Sequence, residues 1–174
     1  MTNPNTTHIL YRQAQFPIFQ NRMYDSKTEA INCLRGDIEL VEDFHSGLVQ
    51  NAVFQPELMI YDAYYQNEQA TSTLFQAHLE EISDLIQLTM GREKLVEVGC
   101  GKGYFLEKLL DQGVDVVGFD PTYEGNNPRV KREYFGPDLG MSGKGLILRH
   151  VLEHIFDPVA FLYQLAQANH WQGL

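Results

Sequence analysis

The stretch Leu-Val-Glu-Val-Gly-Cys-Gly-Lys-Gly-Tyr-Phe, residues 95–105, decides the fold of this chain. An apolar run rich in valine breaks into Gly99, Gly101 and Gly103, and apolar residues at helical spacing follow directly. The pattern predicts a strand, a tight glycine turn and a helix. Glycine permits positive φ and close approach of a ligand to the backbone. The helix N-terminus adds unpaired N–H groups, so we predict a ligand cradle that favours a carboxylate or a phosphate.

An acidic residue ends the next predicted strand. Val114 to Phe119 is followed by Asp120, 17 residues after Gly103. In doubly wound folds, an acid at this place binds the two ribose hydroxyls of a nucleoside. A dinucleotide-binding loop would prefer a glycine where Tyr104 stands, so the sequence disfavours a nicotinamide-linked oxidoreductase.

Three stretches resemble motifs of the class I S-adenosylmethionine-dependent methyltransferases. Residues 97–103 resemble the first motif, residues 118–121 the second, and residues 148–154 the segment after the fourth strand. The resemblance implies S-adenosylmethionine as cofactor and S-adenosylhomocysteine as product. It implies these cofactor-binding residues: Glu97, Gly99, Cys100, Gly101, Lys102, Gly103, Asp120, Pro121, Phe135, Arg149 and His150.

The resemblance also implies a role for each part of this set. The glycines would admit the methionine moiety, and Glu97 would bond the loop or, indirectly, the amino group. Asp120 would bind the ribose. Phe135, Arg149 and His150 would border the adenine or the methyl-donor end, although Phe135 could equally be a core residue.

The predicted fold class is α/β, a Rossmann-like doubly wound parallel sheet with strand order 3-2-1-4 and a small N-terminal α+β appendage. The third strand is predicted at Val130–Phe135, the fourth at Gly145–Leu148, and a helix at Pro158–Ala168 with Asp157 as its N-cap. The predicted buried stripe of this helix is Val159, Leu162, Leu165 and Ala166. We expect a mobile segment over 1–15, the appendage over 16–60, and the methyltransferase domain over 61–174. Class I methyltransferases normally add three strands, so we expect the front part of a longer protein, or a fourth-strand edge that self-associates or pairs with a partner.

The N-terminal half carries weaker signals. Ser26 and Glu29 have capping-box spacing, which predicts a helix over 27–34 that Gly36 ends. Two strand-like runs within 37–54 predict a hairpin. The helix predicted over 71–88 places six residues on one apolar face: Leu74, Phe75, His78, Ile82, Leu85 and Ile86.

Composition limits the function classes. The chain has 174 residues, 44% of them hydrophobic, and a net charge of −10, which disfavours nucleic acid and anionic membranes as partners. Cys33 and Cys100 are too few for a disulfide framework and indicate reduced thiols in a cytoplasmic protein. No apolar run approaches a membrane span.

Residues 61–69 crowd three tyrosines among polar side chains, which indicates a surface that meets a ligand or, equally, a domain junction. Through this segment and the cradle, the chain resembles methyltransferases that modify carbon or other centres on small metabolites such as nucleotide-linked sugars. Tyr61, Tyr65 and His150 are the candidates for acid or base work.

Two other functions stay open on the sequence. One is a catalytically silent cofactor-binding module. The other is a zinc peptidase, because His150 to His154 matches H-x-x-E-H. Since the chain offers no third ligand and no cysteine pairs, we predict no metal site.

Overall fold

The computed structural model describes residues 6–19, 22–60 and 72–172. The chain divides into two compact units, Met1–Asn67 and Glu68–Leu174. Among the described helices, none has the length and apolar character needed to cross a membrane. The elements are, in order, β1 (Thr7–Pro17), α1 (Lys27–Ile31), β2 (Arg35–Asp43), β3 (Val49–Asn51), α2 (Thr73–Met90), β4 (Leu95–Val98), α3 (Tyr104–Asp111), β5 (Val116–Phe119), β6 (Val130–Lys131), β7 (Gly145–Leu148) and α4 (Pro158–Ala168).

The first unit contains an antiparallel sheet of order β1-β2-β3. The predicted hairpin is confirmed, since β2 and β3 pair with Val41 opposite Gln50. β1 begins at Thr7, within the range 1–15 that we expected to be a mobile segment. Nearly all side chains of β1 are exposed, so its sequence shows no alternation of apolar and polar residues. Backbone pairing with β2 and an Arg12–Glu39 ion pair at 2.6 Å hold the strand instead.

Helix α1 begins where the sequence predicts and ends early. The Glu29 N–H donates to Ser26 Oγ, as in the first half of a capping box. The helix stops at Asn32, and Gly36 belongs to β2 rather than to a helix end.

The second unit is built on a parallel sheet of order β6-β5-β4-β7, which confirms the predicted order 3-2-1-4. Central β4 aligns Val98 with Phe119 of β5 and with Leu148 of β7. The predicted third strand is shorter than expected, because only Val130 and Lys131 pair with β5. Since β5 ends at Phe119, the residues after Lys131 have no strand partner there.

Two hydrophobic layers cover this sheet. Leu95 packs with α2 and α3 residues such as Leu79 and Leu106. Val96 and Val98 pack on the opposite side with residues such as Leu165. Because side chains alternate along a strand, Glu97 lies on the same side as Leu95, facing the α2 and α3 layer.

The predicted apolar face of α2 is confirmed in part, because Phe75, Ile82 and Ile86 are partly buried against the core. The helix starts after Ser72, which accepts the Phe75 N–H, and Gly91 ends it with φ +60°. The buried positions are Leu79 and Ser83, and the Ser83 hydroxyl donates to the Gln112 side chain. Three residues predicted to lie on the apolar face are exposed instead: Leu74, His78 and Leu85.

Helix α4 occupies its predicted range and is tied to the start of β7. The Ala160 N–H donates to Asp157, which caps the helix as predicted. Its buried residues are Leu165 and Ala168, whereas Val159 and Leu162, predicted to be buried, are exposed. Just after the helix, buried Asn169 accepts the Gly143 N–H at 2.8 Å and donates to the Gly143 carbonyl at 3.0 Å. These two bonds fix the chain where it enters β7.

Candidate functional site

The glycine loop between β4 and α3 has the left-handed backbone that the sequence predicts. Gly99, Gly101 and Gly103 have φ values of +72°, +56° and +82°. A Cβ on Gly99 would lie 2.6 Å from Val151 Cγ2, so the loop touches the segment after β7. At Gly101, no heavy atom of the described residues lies within 4 Å of a Cβ position. The loop therefore leaves open space beside its middle glycine.

Asp120 braces this loop from the end of β5. Its Oδ2 accepts the Gly101 N–H at 2.8 Å, and its Oδ1 accepts the backbone N–H and hydroxyl of Thr122 at 2.8 and 2.7 Å. A carboxylate offers about four acceptor positions, so capacity for a further donor remains. Thr122 was not predicted as part of the site, although an acid two residues before a threonine is a common local hydrogen-bonding pattern.

Glu97 is a buried carboxyl group below the loop. Its residue is 2% exposed, and Oε2 has no hydrogen-bond partner among the described residues. Burial raises the pKa of Glu97 to about 7, with a smaller contribution from the Asp120 charge, while the Arg149 charge acts in the opposite direction. An ammonium group near Oε2 would favour the ionised form and give the oxygen a partner.

Arg149 follows β7 and lies against aromatic rings. Its Cζ is 4.2 Å from the centre of the Phe105 ring and 5.9 Å from that of Phe75. Such cation–π contacts hold a guanidinium in place without neutralising it. The sequence patterns did not connect Phe75 and Phe105 with the site.

His150 also lies beside Phe75, with ring centres 5.9 Å apart, and its Nδ1 is 3.4 Å from Glu153 Oε1. The residues Leu152–His154 form a 3-10 turn. His150 and His154 therefore lack the α-helical i, i+4 placement that the zinc-peptidase interpretation requires. In the described ranges, no group of three or more His, Cys, Asp or Glu side chains could hold a metal ion.

The other predicted site residues differ in accessibility. Cys100 is buried, and burial raises the pKa of its thiol, so the thiol is protonated near pH 7. Lys102 and Pro121 are exposed. Phe135 is a buried member of the α4-side layer, its ring centre 5.1 Å from that of Phe119. Tyr61 and Tyr65 lie outside the described residues.

Tyr123 is a further residue at the loop that the sequence patterns did not indicate. Its ring lies 3.2 Å from the position of a Gly103 Cβ, and its hydroxyl accepts the Asn127 N–H at 2.9 Å. Tyr123 thus supports the glycine loop and also organises the irregular connection between β5 and β6.

A comparison with known families agrees with this geometry. The family described as "Methyltransferase domain" matches residues 65–171, which is more than half of the chain. No curated protein matches the chain. The match covers the glycine loop, Asp120 and the segment after β7, all on a Rossmann-like parallel sheet. The chain therefore belongs to this methyltransferase domain family, with the fold of the class I type.

Proposed function

We propose that the chain is a cytoplasmic S-adenosylmethionine-dependent methyltransferase that acts on a small metabolite, such as a nucleotide-linked sugar or a related compound. One observation carries the proposal. A buried carboxyl group, Glu97, has an oxygen without a hydrogen-bond partner among the described residues, next to a positive-φ glycine loop that Asp120 braces. S-adenosylmethionine carries an ammonium group and a ribose diol, and these two carboxyl acceptors suit both groups of donors.

In this mechanism, the chain's own residues bind S-adenosylmethionine and orient it. The glycine loop gives the methionine moiety access to the backbone, and Glu97 is the acceptor for its ammonium group. Asp120 uses its remaining acceptor capacity for the ribose hydroxyls. Arg149, held on Phe105, borders the donor end. The bound cofactor supplies an electrophilic methyl group, and the protein's main contribution is alignment of the acceptor with it.

Calorimetric titration with S-adenosylhomocysteine tests the proposal. We expect Asp120→Asn to weaken binding by about 1 to 3 kcal/mol, because the ribose loses a charged acceptor. Asp84→Asn, at an exposed position on α2, is the matched control and should bind like the wild type. The fluorescence of Trp171 verifies that each variant is folded. Unchanged affinity in a folded Asp120→Asn variant contradicts the ribose assignment.

Methyl transfer distinguishes an enzyme from a silent binding module. Radiolabelled S-adenosylmethionine is incubated with a panel of nucleotide-linked sugars, and labelled product is measured. Binding of S-adenosylhomocysteine without transfer to any member would argue against this acceptor class.

A further inference from the structure

We propose that His150 and Glu153 form an acid–base pair beside the glycine loop, in which His150 removes a proton from the methyl acceptor and Glu153 positions its imidazole. This inference rests on the proposed function and narrows its substrate class. The acceptor would carry an N–H, O–H or acidic C–H group that loses its proton on methylation.

The position of His150 supports this role. β7 runs parallel to β4, with Leu148 aligned to Val98, so the residues after both strands meet at the same edge of the sheet. Val151 contacts Gly99, as its Cγ2 lies 2.6 Å from the place of a Gly99 Cβ. His150, one residue earlier, therefore lies beside the glycine loop.

The backbone and the neighbouring ring set the direction of the imidazole. His150 has φ +52°, a left-handed conformation that histidine adopts more readily than most residues. This conformation ends the extended path of β7. The imidazole then lies between the Phe75 ring, 5.9 Å away, and the Glu153 carboxylate. The His150 side chain is 51% exposed, so one face stays open to a substrate.

The contact with Glu153 determines which nitrogen acts. Glu153 Oε1 lies 3.4 Å from Nδ1, so the carboxylate favours a proton on Nδ1 and leaves the Nε2 lone pair as the base. Arg149 and His78 lie beside the same Phe75 ring.

The proton balance of the step is complete. The electron pair of the acceptor's X–H bond forms the new bond to the methyl carbon, while the pair of the methyl–sulfur bond remains on sulfur. The released proton passes to Nε2 of His150 and later to solvent. Glu153 touches neither reacting atom, so it is a positioning residue.

Nuclear magnetic resonance of protein labelled with ¹⁵N-histidine tests the pair without cofactor or acceptor. In the wild type we expect the neutral His150 ring to carry its proton on Nδ1. Glu153→Gln should remove this preference, so that a larger share of the neutral rings carries the proton on Nε2, and Glu153→Asp should restore part of the Nδ1 population. The His78 signal is the internal reference.

Glu93→Gln is the matched control, because it removes the same charge from an exposed position after α2. It should leave the His150 tautomer unchanged. A His150 tautomer that does not respond to Glu153→Gln would overturn the pair, even if S-adenosylhomocysteine binds. Failure of that ligand to bind, with the Glu153 effect intact, would instead overturn the proposed function and with it the catalytic role of the pair.

Discussion

Replacing Gly99 by alanine tests the contact between the glycine loop and the segment after β7. The added methyl would lie 2.6 Å from Val151 Cγ2, on a residue with φ +72°. The left-handed backbone costs about 1 to 2 kcal/mol for a residue with a Cβ, and overpacking costs about 1 to 3 kcal/mol. We therefore expect Gly99→Ala to lower the free energy of unfolding by roughly 2 to 5 kcal/mol.

Two further variants separate these contributions. Gly113→Ala has a similar backbone, with φ +82°, but no heavy atom of the described residues lies within 4 Å of its Cβ position. It should show only the backbone cost of about 1 to 2 kcal/mol. Combining Gly99→Ala with Val151→Ala removes the clash, so the double mutant should show a favourable coupling of roughly 1 kcal/mol or more.

Urea unfolding followed by fluorescence measures all of these variants. Trp171 is the one tryptophan of the chain and lies in the second unit, with its ring centre 5.2 Å from that of Tyr163. It therefore reports on the unit that contains the loop. Equal losses for Gly99→Ala and Gly113→Ala, with no coupling to Val151, would show that residues 149–151 do not touch the loop. The placement of His150 beside the cradle would then be wrong as well.

Two other measurements address ionisation and assembly. The folded pKa of Glu97, about 7, lies above the ordinary glutamate value of 4.5, so the wild type should lose stability relative to Glu97→Gln as pH rises from 4.5 to 7. In urea unfolding at several pH values, this loss in the free energy of unfolding should approach about 3 kcal/mol. A difference between the wild type and Glu97→Gln that is constant with pH would contradict the raised pKa. We also propose self-association along the outer edge of β7, the last strand in the described sheet order. Analytical ultracentrifugation should show dimers whose share rises with protein concentration, whereas a wild-type monomer at every concentration would refute this pairing.

Local rules in the sequence predicted the parts of the fold that depend on neighbouring residues. The valine-rich run and its glycines identified β4 and the loop, and Asp157 with Pro158 placed the start of α4. Parallel strands bring their carboxyl ends together, so Asp120 and Arg149 could be assigned to one edge of the sheet from their positions after strands. These predictions need only the order of elements and the chemistry of their ends.

The two buried residues of α2, Leu79 and Ser83, could not be predicted in the same way. Apolar residues cover a wide arc of this helix, and the sequence does not say which part meets the sheet. Ser83 is buried because Gln112, from the end of α3, satisfies its hydroxyl, and no local pattern links these two residues. The bond from Gly101 to Asp120 was missed for a related reason, since the sequence assigned that carboxylate to a ligand alone.

The bonds between Asn169 and Gly143 bear on the order in which the second unit can assemble. Their partners are 26 residues apart, and one lies before β7 while the other follows α4. The start of β7 therefore reaches its final hydrogen bonding only when the helix after it has docked. These bonds join the residues before β7 to the residues after α4. We therefore expect β7, which positions Arg149 and His150, and α4 to fold and unfold together in a single cooperative step.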